Sequence, residues 1–583
     1  MARKRKQKNL KEESPSGAAS RTAGATQSES APAPPAASDA RPRTPFDSVR
    51  ENLEALIVAV ILAIIIRHFA VEAFEIPTGS MAPTLYGMHV FDTCPNCSTE
   101  YIVAIRTDSG TGKIQAPFSK RRIYRGGCPN PDCDLERHVV KRRGGSRVGC
   151  ESCGKKFSGD PPLFVEADVH SFPTRCPICH HTYTSTVERG DIRGGNKILV
   201  NKFAYPLAPP ERWDVIVFEF DQWKNYIKRL VGLPGERIEI FDGDIYVNGK
   251  IERKSKYPYV QDIMWRLVSD SDVEENGLTP PAWKEVAARG AGSWTPKRGR
   301  TQWSINHLGG PEPAALQYQR DFDNYMSYNV MNDRPRRGVP TGVQVGDKKV
   351  SFRVTPISGK GWLGAEIRDG DFTYRVTVPI GAASEDRPAR LERLANESDP
   401  LTPELSRPAV SSDPGGGSDP GGGGGGGDGS DPGEVGLRAT APFALPLDVP
   451  SEFVFENVDD RVALRIAGEE VLGLDYVSCA DVREPPPANG GKPQYARILG
   501  SGVQATIESI QVHQDLYYLS YVSARPFHGI TLEEGQHLAL GDNSASSSDG
   551  RVWGSVPEQN LMGKALLVFW PAWPLDFQCK FIR

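Results

Sequence analysis

The longest apolar run in the chain, LEALIVAVILAIII at residues 53–66, is broken only by Glu54. Its length falls short of the roughly 20 residues that cross hydrocarbon. Counted from Val49 to Val71, with Arg50 and Arg67 reaching the two interfaces, it is long enough, so a transmembrane helix is predicted over 49–71. The cationic opening MARKRKQK predicts the N terminus inside and everything after the run outside. A cleaved signal sequence is the alternative, weakened because no small-x-small site directly follows.

Beyond this run the period becomes that of strands. Residues 197–205, 214–220, 226–233, 237–241 and 245–247 are β-branched and aromatic runs, separated by Gly194-Gly195, Pro209-Pro210, Pro234-Gly235 and Asp242-Gly243. Val247-Asn248-Gly249-Lys250 is a hairpin turn. A second set, 349–354, 372–378, 452–458, 461–467 and 505–513, follows a stretch rich in Trp and Tyr and suggests a β-sandwich-like unit. Its clustered aromatics, Trp265 to Tyr328, are expected in a core more than on a sugar platform. The closing run KALLVFW, 564–570, is too short to span a bilayer and reads as a buried strand. The fold class is mainly β.

Composition adds domain limits. A chain of 583 residues with 38% hydrophobic positions holds several units, and a net charge of −4 gives no reason to expect a nucleic-acid partner. Residues 1–48 form a basic tail almost without large apolar side chains and are expected to be disordered, as is the Gly-rich linker 411–434.

Eight of the ten cysteines fall between 94 and 179, as Cys94/Cys97, Cys128/Cys133, Cys150/Cys153 and Cys176/Cys179. Paired thiolates at this spacing grip a tetrahedral ion, two pairs per site, so up to two structural zinc ions are expected. A nested arrangement joins Cys94/Cys97 to Cys176/Cys179, and Cys128/Cys133 to Cys150/Cys153, and brings the ends of the insert together. Disulfides are the competing reading, because the predicted topology puts the segment outside the cytosol. Cys479 and Cys579 are left over.

Two stretches carry candidate chemistry. FEIPTGSMAPTL, 74–85, sets Ser80 between Gly79 and Met81, with Pro77 and Pro83 restricting the backbone on either side. YIKRLVGLPGE, 226–236, places Lys228 inside an apolar strand pattern. A lysine titrates near 10.4 in water, but burial lowers this, by roughly 3–5 units at the extreme, and a neutral amine can then take a serine's proton. The competing readings are a turn serine and a snorkelling lysine.

Taken together, GSMAPTL, GNKILVNKFAY (195–205), YIKRLVGLPGE and GDNSASSSDGRVWGSVPEQNL (541–561) stand in the order found in type I signal peptidases, and the chain resembles that family. The resemblance implies a coiled β-sheet core, Ser80 as nucleophile and Lys228 as general base. It further implies that Thr78 completes an oxyanion hole and that Ser547, Asp549 and Arg551, with Gly541, form the supporting motif. Phe74, Ile76, Pro77, Tyr226 and Ile227 would line the substrate. The implied activity is cleavage of signal peptides from exported preproteins after an Ala-x-Ala-like motif. The implied location is the cytoplasmic membrane, single-pass, with the catalytic unit on the outer face.

The expected organisation is tail 1–48, helix 49–71, and core 72–93, 186–264 and 516–583. A Cys-rich zinc-ribbon-like insert, 94–185, and a β-rich insert, 265–515, interrupt the core. The β-rich insert resembles concanavalin-like lectin domains. Two other classes compete. One is a membrane-tethered binding protein on an inactive peptidase core; the other is a self-cleaving regulator, which would need a DNA-binding domain.

Overall fold

The computed structural model describes residues 45–65, 70–105, 120–125, 139–141, 147–150, 156–158, 165–188, 191–220, 224–286, 293–297, 300–309, 312–329, 343–370, 372–395, 437–476, 494–522, 525–570 and 580–582. The expected disordered tail up to 44, the linker 411–434, Cys479 and Cys579 lie outside these.

Helix α1 runs Pro45–Ile65 and belongs to the first of two units, which ends at Ile65. Leu53, Leu56, Ile57, Val60, Ile61 and Ile64 along it are exposed. The expected span 49–71 is corrected here, because Val71 already belongs to a strand. Among the described residues no helix is long and apolar enough to cross a membrane. Arg50, Glu51 and Glu54 occupy the helix's first half. The chain from Val71 is drawn into extended backbone by a ladder to 197–201, which satisfies its polar groups as a helix would.

The rest of the chain forms the second compact unit, and it is mainly β as expected. Its central sheet consists of β1 (Val71–Glu75), β2 (Lys197–Asn201), β3 (Val215–Phe220), β4 (Lys224–Gly232), β5 (Gln536–Leu540), β6 (Val556–Pro557), β7 (Leu561–Trp570) and β8 (Lys580–Phe581). The order is β1-β2-β7-β3-β4-β5-β6, with β8 also paired to β7. The pairs are antiparallel. The closing apolar run is therefore a central strand, wedged between β2 and β3. The strand expected over 197–205 stops at Asn201, and Ala204–Leu207 turns into a short helix. The Asn248-Gly249 turn has the two positive φ values, 52° and 78°, of a tight hairpin.

Two hairpins carry the outer cysteine pairs. His89–Thr93 pairs with Glu100–Ala104, and Val165–Arg175 pairs with Thr182–Glu188. Each CPxC sequence occupies the loop between its strands.

The large insert begins and ends at one place, since Arg266 pairs with Gln514. Two long strands, Lys348–Asp369 and Tyr495–Gln514, run side by side through its 13-stranded sheet, with shifts of register that bend them round one apolar core. Trp283, Trp294, Trp303, Tyr318 and Phe322 are buried in that core, as the sequence suggested. A buried Lys254 joins the insert to the small sheet after β4: its ammonium meets Asp244 of that sheet and Asp459 and Asp515 of the insert.

Candidate active site

Lys228 and Arg229 are neighbours on β4, so their side chains leave opposite faces of the strand. Lys228 Nζ lies 2.8 Å from Ser80 Oγ and donates to it, and also donates to the Ile227 carbonyl at 2.9 Å. The lysine is 3% exposed. Burial pushes its ammonium down to about 8, against the opposing pull of the Asp549 and Asp542 carboxylates. A side chain that is inert in water thus has an accessible neutral form near physiological pH.

Arg229 explains how a cation can be buried beside another. Its guanidinium forks onto Asp542 at 2.8 and 2.7 Å and donates to the Trp213 carbonyl, and both side chains of the pair are fully buried. Thr84 and Tyr518 hydroxyls also donate to Asp542. This pair was not singled out from the sequence, although Asp542 stands in the quoted GDN and Arg229 beside the quoted lysine.

β5 pairs with β4 up to Leu540 opposite Arg229, and GDN begins where pairing stops. The turn therefore falls directly onto the Ser80 loop. Asn543 N–H donates to the Ser80 carbonyl at 3.0 Å, and its side-chain amide donates to the Gly79 carbonyl at 2.8 Å. Gly541 must be glycine, since a Cβ there would sit 2.2 Å from Ser547 Oγ and 2.4 Å from the Ser80 carbonyl oxygen.

Asp549 and Arg551 form a buried ion pair at 2.7 Å. Asp549 also accepts from the Gly541 N–H, and Arg551 reaches the Ser544 and Leu519 carbonyls. Ser547 Oγ is buried beside Gly541 and, among the described residues, has no hydrogen-bond partner. Of the expected supporting set, then, Asp549 and Arg551 are engaged in hydrogen bonds. Thr78 is exposed, two residues before Ser80.

Phe74, Ile76 and Ile227 share an apolar cluster with Met81 and Leu85, while Pro77 is exposed and Tyr226 stacks on Phe218. Among the described residues β1 pairs on one side only, with β2. Residues 224–228 of β4 likewise pair only with β3, because the β5 ladder starts at Arg229.

Cys94, Cys97, Cys176 and Cys179 are brought together, all buried, with their sulfurs within 4.8 Å of one another. Cys94 lies 3.4 Å from Cys179, and Cys97 3.6 Å from Cys176. All four are free thiols. The two loops match: the Cys94 N–H bonds to Thr99 O and the Cys176 N–H to His181 O, with positive φ at Ser98 and His180. Cys128, Cys133 and Cys153 lie outside the described residues, and of Cys150 only the backbone strand is described.

Residues 179–279 and 497–570 match the family described as signal peptidase, peptidase S26. These two segments of the chain are similar to that family. The matched segments contain Lys228 and the 541–561 block and begin after Ser80. Signal peptidase I of Bacillus caldolyticus is 40% identical over 86 residues, 14% of this chain and 47% of that protein. Signal peptidase I of Pseudomonas aeruginosa is 37% identical over 116 residues, 17% of this chain and 38% of that protein. The chain thus spans less than half the length of these curated relatives. A solved carbohydrate binding module, CBM66 from Bacillus subtilis, aligns with 40% of this chain and 96% of its own at 11% identity, and its TM-score of 0.22 is too low to bear on fold or function.

Removing one partner of a fully buried ion pair leaves the other unpaired, at a cost of about 3–5 kcal/mol. Arg229→Met is expected to lower the stability of the core by that amount in urea unfolding. Wild-type stability in this variant would mean that the pair is not desolvated.

Proposed function

We propose that the chain is a membrane-associated Ser-Lys endopeptidase that cleaves signal peptides from exported preproteins. The observation that carries this reading is the buried Lys228 amine at 2.8 Å from Ser80 Oγ. In its neutral form Lys228 accepts the hydroxyl proton as Ser80 Oγ attacks the scissile carbonyl. The Ser80 N–H, with Thr78 beside it, would receive the developing oxyanion. Lys228, now protonated, returns the proton to the leaving amine, and a water activated in the same way releases the acyl group. Asn543, Asp549 and Arg551 keep the loops in place through the cycle. The alternative of an inactive scaffold has no support in this geometry, since both reacting groups are within hydrogen-bond distance.

The free edges of β1 and of 224–228 suit an extended peptide, whose alternate side chains would enter the apolar wall of Phe74, Ile76 and Ile227. The resemblance to type I signal peptidases implies small residues at the first and third positions before the cut, the Ala-x-Ala pattern. The exposed apolar surface of α1 is the part of the chain suited to lie at the surface of the cytoplasmic membrane.

The four outer cysteines fit a zinc ion, being buried soft donors from two matched loops with no disulfide between them. Bound zinc would act as a structural clamp between the two hairpins and take no part in the hydrolysis. A second site from Cys128, Cys133, Cys150 and Cys153 completes the proposed pair.

Cleavage of a model preprotein by wild type is expected to rise from acid to alkaline pH with a midpoint near the Lys228 value of about 8, because the base works only when deprotonated. Ser80→Ala and Lys228→Ala are each expected to abolish cleavage, with the double variant no worse. Full activity in Ser80→Ala would end the peptidase reading. Tryptophan at the first or third position before the cut is expected to block cleavage while tryptophan between them is tolerated, and equal blockage at all three positions would exclude strand addition. Purified protein is expected to hold about two zinc ions, and their removal to increase proteolysis within 94–179; eight oxidised thiols without metal would establish the disulfide reading.

A further inference from the structure

We infer that Asn329, contributed by the large insert, is a positioning residue for the Ser80 loop. This deepens the peptidase reading and rests on it for its kinetic consequence, although the structural part stands alone.

A short 3₁₀ turn of the insert, Ser327–Asn329, sits against the catalytic loops, and all three of its residues are buried. The Asn329 and Asn543 amides face each other. Asn329 Nδ2 donates to Asn543 Oδ1 at 2.7 Å, and Asn543 Nδ2 donates back to Asn329 Oδ1 at 2.7 Å. The other hydrogen on Asn543 Nδ2 goes to the Gly79 carbonyl. Asn329 therefore satisfies the remaining donor and acceptor of the amide that holds the residue before the nucleophile. Without it, a buried oxygen and a buried hydrogen of Asn543 lose their partners, and the amide must rotate or admit water to recover them. Either movement loosens its grip on Gly79.

Tyr328 adds shape to this contact. Its hydroxyl accepts from the Gly87 N–H at 3.0 Å, and its ring lies where a side chain on Gly79 would be, with Cε1 1.8 Å from an ideal Cβ. Gly87 in turn touches the Thr78 backbone, since a Cβ there would come within 2.6 Å of it. Ser327 Oγ donates to the Ile102 carbonyl on the hairpin that carries Cys94 and Cys97. Three consecutive insert residues thus meet the cysteine hairpin, the residues flanking Ser80 and the GDN turn. On this reading the insert is part of the active-site frame, and its loss would leave the nucleophile loop without one of its walls.

The test uses the full chain as wild type, Asn329→Ala, Asn329→Asp, Asn543→Ala, the Asn329→Ala/Asn543→Ala double variant and Ser80→Ala. Asn329→Ala is expected to lower kcat by about ten- to a hundredfold through misplacement of the loop, with KM within about twofold. Amide exchange of the 79–85 segment should quicken in this variant, while circular dichroism shows the chain still folded at the assay temperature. Asn543→Ala combined with Asn329→Ala should be no worse than Asn543→Ala alone. Asn329→Asp supplies a second readout. Its protonated carboxyl can donate to Asn543 Oδ1 and accept from Nδ2, whereas the carboxylate can only accept. The kcat ratio of this variant to wild type is therefore expected to rise as pH falls from about 8 to about 5. A flat ratio, or unchanged kcat and unchanged exchange in Asn329→Ala, would overturn the assignment. If wild type and Ser80→Ala prove equally inactive, the peptidase reading fails, and the exchange measurement still decides the role of Asn329.

Discussion

A lysine 3% exposed beside a serine, with an arginine fully buried at the next position, sets the main constraint on this molecule. Two adjacent cations are drawn out of water on one strand, and each must be made tolerable in a different way. Arg229 is neutralised outright by the bidentate pair with Asp542, which satisfies its fork and fixes GDN against β4. Among the described residues no carboxylate forms an ion pair with Lys228, so desolvation is the larger influence on its proton. Placing Asp542 and Asp549 near the site but bonded to their own arginines moderates that effect without cancelling it. The alternation of a strand makes the division possible, because neighbouring side chains leave on opposite faces.

The same division orders the chain around it. β4 carries both cations, β5 ends at Leu540 opposite Arg229, and the turn that follows must pass the Ser80 carbonyl. That approach demands Gly541, and the next two residues supply an ion-pair partner and a loop clamp. The insert enters at this point. Its Ser327–Asn329 turn contacts the clamp and the glycine before Ser80, and its first and last strands close on each other at Arg266 and Gln514. A unit of this size can be inserted into a core without straining it when its two ends already meet.

The cysteine hairpins are tied into the same region by polar contacts. Asn96, fully buried within CPNC, donates to Thr279 and accepts from the Leu278 N–H of the insert. Arg320 of the insert donates to the Ile178 carbonyl within CPIC, and Arg175 pairs with Asp323. The two cysteine hairpins are thus bonded to Leu278, Thr279, Arg320 and Asp323 of the insert, the last of which stands six residues before Asn329.

The sequence alone determined the parts that depend on local pattern or short motifs. Alternating β-branched runs marked the strands of the core, because period two follows from backbone pleating. The spacing of paired cysteines marked the two loops that converge, and the blocks around Ser80, Lys228 and 541–561 marked the residues that meet. Tertiary structure decided what depends on partners distant in the chain. Residues 71–75 joined a strand ladder with 197–201 instead of extending α1, because register pairing over more than a hundred residues is invisible to a local hydropathy count. Arg229–Asp542 and Asn329–Asn543 each join positions more than two hundred residues apart, and a buried polar residue has no local signature that names its partner. Ser547 shows the converse: the run of serines 546–548 left its register open by one residue, and among the described residues its buried hydroxyl has no hydrogen-bond partner.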